Sequence, residues 1–387
     1  MRTQIVTEGR IKLEVPELKK FETSPNEYVP SLTPVFFNPL MELSRDIGIS
    51  AVQVALRETG NSRICDPLAG VGARGLRYAK EIKGVREVIV NDASPEACKF
   101  IRRNIELNTL QNVEVHQEDA RALLSASSSP FHVVDLDPFG TPAPFVGPAC
   151  SSLARNGLLV VTATDTAPLC GSPPSSCMRK YGAQPLRTEY CHETGLRILI
   201  GFCQRVAAIN DLALRPLLGY YAQHYFRVYL RAEKGKKHAD NVLAKQGYLS
   251  HCRACGRRTV TEGRVPKLPS KCECGREFEY AGPLWIGELA ERNFVENVIT
   301  DLANRSFKLG YRGSKLLHAC LDEIGGPPTF YDLNEIASCV KGSPPKLRKL
   351  IERIQKQGYF VSRTHFASTG LRTDAPYELL IEAFSSS

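Results

Sequence analysis

The stretch Ser62-Arg-Ile-Cys-Asp66-Pro-Leu-Ala-Gly70-Val-Gly72-Ala-Arg74-Gly75 decides the fold. Ser62 to Asp66 reads as a short strand ending in an acid. The glycines that follow fit Gly-x-Gly-x-x-Gly, and a helical pattern runs from about Ala73 to Glu81. Strand, glycine loop and helix in that order allow close backbone approach to a ligand at a helix N-terminus. Alone, the motif is ambiguous: a dinucleotide site, an S-adenosylmethionine site and a plain tight turn all produce it.

Working outward, β-rich runs alternate with helical ones. Glu87 to Asp92 reads as a second strand, and Ser94 can cap a helix to about Asn108, with Glu96 in its first turn. Asn112 to His116 is a third strand, Asp119 opens a helix, and Phe131 to Asp135 is a fourth strand. Gly157 to Thr162 is a fifth. This alternation implies an α/β fold: a doubly wound, Rossmann-like parallel sheet with helices on both faces. Glu189 to Ala208 reads as a long helix. Tyr220 to Arg231, aromatic and β-branched, reads as one or two antiparallel strands closing the sheet.

The strand ends carry acids. Asp92 lies seventeen residues after Gly75, where a carboxylate can accept hydrogen bonds from both ribose hydroxyls. A nicotinamide dinucleotide would use the same geometry. Asp119, in Glu118-Asp119-Ala120, suits an adenine amino group; its plainer role is a helix N-cap, and both can hold together. Asp66, Asp92 and Asp119 in succession favour S-adenosylmethionine, with Gly70 and Gly72 giving the backbone approach.

The fourth strand ends in Asp135-Leu136-Asp137-Pro138-Phe139-Gly140. Open α/β sheets bind ligands at the carboxyl ends of their strands, and the last four residues resemble the Asp/Asn-Pro-Pro-aromatic motif of amino-methylating enzymes. A guanine amine is a poor nucleophile because its lone pair is delocalised into the ring. The Asp137 carboxylate and the Pro138 carbonyl can both accept hydrogen bonds from it, drawing the nitrogen toward sp³ character. The carboxylate also stabilises the positive charge that develops. Phe139 can stack on the base, and Pro138 fixes the loop without offering an N–H. An ordinary strand-end turn is the competing reading, and the position after the fourth strand, downstream of a cofactor loop, argues against it.

Read together, these residues resemble the tRNA (guanine-26-N2)-dimethyltransferase family across most of the chain. The other pieces are Pro34-Val-Phe36-Phe37-Asn38-Pro39, Arg45-Asp46, Thr162-Ala-Thr164-Asp165, Pro168-Leu-Cys170-Gly171, Tyr190-Cys-His192-Glu193 and Thr364-His365-Phe366. The resemblance implies that Arg45 and Arg74 contact the cofactor, with Asp92, Asp119 and Ala120. It implies that Asp137 is the catalytic acid/base and that Phe36 and Phe139 sandwich the target guanine, consistent with the need to unstack a nucleobase before modifying it. Without the resemblance, Phe36 could equally be a core aromatic. Leu40 stands where the family commonly carries arginine, and Ser44 where it commonly carries asparagine, so a contact near the N-terminus is expected to be lost or moved.

The chain has 13 cysteines. His251-Cys252-Arg-Ala-Cys255-Gly256 forms a Cys-x-x-Cys-Gly knuckle, and Cys272-Glu-Cys274-Gly275 begins seventeen residues beyond Cys255. Two tight pairs at that separation read as a structural Cys₄ zinc site with no position left for water. The second pair is one residue shorter than usual, so His251 stands as a possible replacement ligand, and a redox pair or a vestigial site without metal geometry are the alternatives. Arg253, Arg257, Arg258 and Lys271 surround the cluster and could touch RNA phosphates. The other nine cysteines read as buried small apolar residues.

The 387 residues suggest more than one domain, and the formal charge of +9 suits a polyanionic partner without proving one. Lys341 to Arg363 holds seven Lys/Arg against one acid, Glu352, either a solvated helix face or a phosphate-contacting patch. Phe330 to Phe360 looks like a winged-helix arrangement, with the basic run on its second helix. The expected division is a methyltransferase domain over 1–233, a linker with the zinc knuckle over 234–286, and a smaller α+β, tRNA-binding domain over 287–387. With no apolar run of membrane-spanning length and no secretory pattern, a cytoplasmic protein with tRNA as partner and no obligate protein partner is expected. An enzyme acting on another RNA guanine, or on a protein or small-molecule amine, and a non-catalytic nucleic-acid-binding module are the competing classes; the intact Asp137 motif and cofactor acids argue against the last.

Overall fold

The structure, a computed structural model, describes residues 2–17, 22–24, 27–28 and 33–385. It opens with an antiparallel hairpin of β1 (Thr3–Glu8) and β2 (Ile11–Pro16), followed by the short pair β3 (Glu22–Ser24) and β4 (Glu27–Tyr28). A 3₁₀ turn at Pro39–Met41 leads into α1 (Glu42–Ala55). The alternating series is β5 (Ser62–Asp66), α2 (Ala73–Glu81), β6 (Val85–Asn91), α3 (Pro95–Leu107), β7 (Val113–His116), α4 (Ala120–Ala126), β8 (Phe131–Leu136), α5 (Ala143–Ser152) and β9 (Leu153–Ala163). Then come α6 (Thr166–Leu169), α7 (Pro174–Tyr181), α8 (Cys191–Ala208), β10 (Leu212–Ala222) and β11 (Tyr225–Lys234). The remainder is α9 (Lys236–Ala244), β12 (Gln246–His251), β13 (Arg258–Glu262), β14 (Glu279–Trp285), α10 (Arg292–Ala303) and α11 (Gly310–Asp322), and then β15 (Tyr331–Asp332), α12 (Leu333–Val340), α13 (Leu347–Lys356), β16 (Val361–Arg363), β17 (Gly370–Thr373) and α14 (Tyr377–Ser385).

Seven strands form one mixed sheet in the order β10-β11-β9-β8-β5-β6-β7. The pairs β5–β6, β5–β8, β6–β7 and β8–β9 are parallel. Strand order therefore reverses between β5 and β8, which opens a crevice at their carboxyl ends. The central strands are apolar and buried on both faces: Ile64, Cys65, Val88, Val90, Val133, Val134 and Leu158 to Val161 are all closed to solvent, as parallel sheets require. β10 and β11 are joined by Gln223 and His224 alone, both with positive φ (44° and 69°). A two-residue connection of that handedness makes an antiparallel hairpin, as expected.

Local signals set the helix starts. Ser94 accepts a hydrogen bond from Ala97 N (3.3 Å) as N-cap of α3, and Asp119 accepts from Arg121 N (2.8 Å) as N-cap of α4. The N-terminal hairpin was not foreseen. Ile11, Leu13 and Val15 alternate with Lys12 and Glu14 and fill a core with Phe37, Val71, Leu76 and Phe100. Asn104 on α3 and its C-cap Asn108 hold β2 by side-chain bonds to its backbone (2.6–3.1 Å).

The chain forms two compact units, each built from separated stretches: residues 1–162, 229–234 and 296–315 in one, and 163–228, 235–295 and 316–387 in the other. Within the second unit, β13-β12-β14 form a three-stranded sheet around the cysteine cluster. β15-β17-β16 form another, which shares a core with α12 and α13. Its core is Leu333, Ile336, Leu350, Ile354, Leu371, Leu380 and Phe384. Because Leu350 and Ile354 point inward, the basic residues of α13 are turned out: Arg348, Lys349 and Lys356 are exposed.

Candidate active site and metal centre

The loop between β5 and α2 is shaped by its glycines. Gly70 has φ +57°, and a Cβ there would lie 2.4 Å from Phe36 O. Gly72, at φ +84°, is the N-cap of α2. A Cβ on Gly75 would meet Val90 Cγ2 at 2.6 Å, so this glycine lets α2 lie on β6. Asp66 Oδ2 accepts the Gly75 N–H (2.8 Å) and Asp92 Oδ2 accepts the Gly70 N–H (2.9 Å). Asp92 Oδ1 also accepts Ser94 N–H (2.9 Å). The acids after β5 and β6 thus hold the loop as well as facing it.

One organiser was missed from sequence. Asn91 is fully buried; its amide donates to Pro67 O (2.9 Å) and Glu118 O (3.1 Å) and accepts from Glu118 N (3.0 Å). It ties the ends of β5, β6 and β7. An asparagine one residue before the strand-end acid was the only available sign.

Phe36, Arg45, Asp66, Arg74 and Asp137 line one cleft together with Phe37, Asn38, Leu68, Ala69, Val71 and Ala73. Asp137 is the first residue beyond β8, across the crevice from the glycine loop. Arg74 donates to its Oδ2 from Nη2 (2.6 Å) and Nε (3.2 Å). Behind it, Asp135 is fully buried, lies 3.8 Å from Arg74 Nε, and accepts from the Tyr78 hydroxyl. Burial, with Asp135 and Asp137 nearby, pushes the Asp66 carboxyl up to about 7, although Arg74 and the Gly75 N–H oppose the shift. The cleft is therefore a carboxylate group arranged around one guanidinium.

Phe36 and Phe139 stand at its mouth, 39% and 70% exposed, with ring centroids 6.0 Å apart and planes at 65°. Phe36 is therefore not a core aromatic. Two exposed rings beside a carboxylate form a place where a flat base can be held. Pro138 is buried, and Gly140 takes φ +95°.

Two expected cofactor contacts are already engaged. Arg45 lines the cleft, but its Nε and Nη2 bond both oxygens of buried Glu8 (2.5 and 2.6 Å) and its Nη2 also reaches Asn38 O (3.1 Å). Arg77 joins this cluster through Glu8 (3.0 Å), Asp46 (2.8 Å) and Glu81 (2.8 Å). Asp46 in the Arg45-Asp46 piece is thus an ion-pair partner. Asp119 is exposed, with its carboxylate clasped by Arg121 (3.0 and 2.8 Å), whose hydrogen bonds hold its pKa well below the usual carboxylate range. Its N-cap role is met, while Ala120 beside it is buried. Of the two departures, Leu40 is exposed and Ser44 is buried, its Oγ accepting from Arg74 Nη2 at 3.4 Å.

The cysteine cluster forms as expected. Cys252, Cys255, Cys272 and Cys274 bring four sulfurs within 4.8 Å of one another. Cys252–Cys274 and Cys255–Cys272 are each 3.5 Å apart. Tetrahedral Zn–S bonds of about 2.3 Å set S···S edges of roughly 3.8 Å, so the donor set fits zinc despite the short second pair. Turns closed by Gly256 N to Cys252 O (2.9 Å) and Gly275 N to Cys272 O (2.8 Å) present the thiols.

His251 is not a fourth ligand. Its Nδ1 meets the Tyr190 hydroxyl at 2.9 Å, and burial with Arg258 nearby brings its ring down to about 4. Nor do the neighbouring arginines stand ready for phosphates. Arg253 pairs with Glu279 (2.9 Å), Arg258 with Glu189 (3.0 Å), and Arg257 with Glu273 (2.9 Å) and Glu378. Lys271 alone of that group is exposed without an ion pair to an acid among the described residues.

Glu193, Thr364 and His365, which had no chemical reading, are architectural. Glu193 is fully buried and bonds Arg197 (2.8 Å) and Arg372 (2.8 and 3.0 Å). Arg372 also reaches Glu323 (2.6 Å), which accepts from Thr364 Oγ1 (3.0 Å) and meets His365 Nδ1 (2.6 Å). Tyr221 N donates to His365 Nε2 (3.2 Å), so the imidazole is held from both sides.

A reversal of strand order flanked by a glycine loop on one side and an Asp-Pro-Phe-Gly turn on the other defines a Rossmann-like methyltransferase of the amino-methylating class. A family profile for N2,N2-dimethylguanosine tRNA methyltransferases matches residues 9–385. The chain belongs to that family. It is 42% identical over 382 residues to the tRNA (guanine(26)-N(2))-dimethyltransferase of Methanosphaera stadtmanae, covering 98% of this chain and 96% of the relative. It is 41% identical over 383 residues to that of Methanobrevibacter smithii, covering 98% and 97%. Trm1 from Pyrococcus horikoshii, solved in complex with S-adenosyl-L-methionine, superposes with a TM-score of 0.87 at 36% identity over 98% of this chain and 99% of that one.

Proposed function

We propose that this chain transfers one or two methyl groups from S-adenosyl-L-methionine to the exocyclic N2 amine of guanine 26 in tRNA. The observation that carries this reading is Asp137 in the β5/β8 crevice, beside the glycine loop and below the exposed Phe36 and Phe139 rings. Bound S-adenosyl-L-methionine supplies an electrophilic methyl on a sulfonium.

This chain's residues do the rest. Phe36 and Phe139 swing toward parallel and stack on the guanine. The Asp137 carboxylate and Pro138 carbonyl accept the amine hydrogens, localise the lone pair on nitrogen, and Asp137 takes the proton as the new N–C bond forms. Arg74 gives up part of its hold on Asp137 to make room. Gly70, Gly72, Asp66, Asp92, Asp119, Ala120, Arg45 and Arg74 form the cofactor pocket, with Asp92 on the ribose. Zinc held by Cys252, Cys255, Cys272 and Cys274 is structural, since four thiolates leave no position for water.

Residues 1–233 carry the chemistry, 234–286 the knuckle, and 287–387 grip tRNA through the outward basic face of α13. The chain works in the cytoplasm without an obligate protein partner. Among the described residues no helix is long and apolar enough to cross a membrane. The test is transfer of labelled methyl to transcript tRNA, with protein and free nucleoside as controls. Asp137→Ala is expected to lower the rate by about 10²–10⁴-fold and leave cofactor binding intact. A rate within about tenfold of wild type overturns the mechanism, and mass analysis of nucleosides counts the methyls.

A further inference from the structure

Outside the residues used so far, Cys170, Cys191 and His192 meet. Each offers one ligand atom, and the three lie within 4.8 Å of one another. They come from two elements of one unit. Cys170 is the C-cap of α6, while Cys191 and His192 open α8. All three are half-buried, so a small ion can reach them, and both cysteines are free thiols. His192 is stacked on Tyr221, with centroids 4.0 Å apart and planes at 17°, so its ring plane is set before any ligand arrives.

Zinc bonds of about 2.3 Å to sulfur and about 2.0 Å to nitrogen require donor–donor edges of roughly 3.5–3.8 Å, and donor atoms already within 4.8 Å of one another reach them by side-chain movements of roughly 1 Å. Two thiols and an imidazole are soft and borderline donors, suited to zinc-like cations and unsuited to magnesium or calcium. A tightly packed thiol pair alone would not need an imidazole fixed beside it.

We propose that Cys170, Cys191 and His192 form a second metal site for a thiophilic divalent cation of the zinc type, distinct from the four-cysteine cluster. Three protein ligands leave a fourth position for water, unlike the closed structural site. Binding releases the thiol protons to solvent and ties the end of α6 to the start of α8.

Anaerobic titration of the full, reduced, metal-free chain with Co²⁺ tests this, because tetrahedral thiolate-bound cobalt is coloured. Wild type is expected to take up two ions per chain, Cys170→Ser one, and a Cys252→Ser/Cys255→Ser variant one. The band that survives in the last is expected to be the weaker sulfur-to-cobalt transition of two thiolates. Circular dichroism of each variant shows whether it folds. A wild type that binds a single ion, retained in Cys170→Ser, overturns the proposal. So does a Cys170–Cys191 disulfide in the isolated protein whose reduction creates no second site.

Discussion

Asp66 carries the largest electrostatic burden among the cleft residues. Burial of its carboxyl, with Asp135 and Asp137 nearby, raises it from 3.8 to about 7 against the pull of Arg74. The folded chain therefore keeps this proton over a range in which the unfolded chain has lost it. The stability contributed by protonation is fully present below pH 3.8 and disappears as pH rises through about 7. Asp66→Asn keeps an acceptor for the Gly75 N–H and removes the titration. The stability of that variant relative to wild type is expected to rise by roughly 2–3 kcal/mol between pH 5 and pH 8, read from urea unfolding at each pH. A difference that stays flat across the range would sink the assignment. At the mouth of the cleft, Phe139→Ala is expected to weaken productive tRNA binding by about 1–3 kcal/mol, the usual worth of a base–aromatic stack. Steady-state kinetics with varied tRNA check it, and stability should be unchanged because this side chain is 70% exposed.

At the level of elements, the junction of β5 with α2 is the tightest piece of the fold that serves the site. Gly75→Ala must push Val90 or Asp66 aside, since the new methyl would sit 2.6 and 3.1 Å from their side chains. Overpacking of this kind costs about 1–3 kcal/mol, and a lowered Tm is expected even without cofactor. Gly140→Ala has open space around it but an unfavourable φ of +95°, so about 1 kcal/mol of backbone strain is expected there instead. The knuckle is a second such element. Cys255→Ser should remove one zinc per chain, measured by elemental analysis, and loosen β12-β13-β14. The basic face of α13 was legible from its charge run, because an amphipathic helix that buries Leu350 and Ile354 must turn Arg348 and Lys349 outward.

Across the second unit, one buried chain of charges links segments far apart in sequence. Glu193 meets Arg372 at a separation of 179 residues, and Arg372 meets Glu323 at 49. Burial alone would raise the Glu193 carboxyl, but the Arg372 and Arg197 guanidiniums outweigh it and bring it down to about 2. This contribution is present above the unfolded value of 4.5 and is lost as pH falls toward 2. Arg372→Ala leaves two carboxylates buried without their shared partner and is expected to cost about 3–5 kcal/mol. Chemical denaturation at neutral pH measures it, and a loss within experimental error would show the network to be dispensable.

The order of strands and helices, the glycine loop, the acids at the strand ends and the four-cysteine pairing were all determined by the chain itself. Each depends on spacing within a few residues: period, cap, turn residue or ligand interval. The hairpin of β1 and β2 also obeys a two-residue period in Ile11, Leu13 and Val15, but such isolated apolar positions among charges give too short an alternation to mark a strand by themselves. What the tertiary structure alone decided is which partner each charge takes. Arg74 and Asp137 are 63 residues apart, and they meet only because β5 and β8 are neighbours in the sheet. Arg253, Arg257 and Arg258 looked free and are paired internally, while Asp119 is clasped by a local arginine whose rotamer no pattern specifies. A buried charge is placed by whichever opposite charge the packing brings within reach, and that depends on the order of strands in space, which no short stretch of sequence encodes.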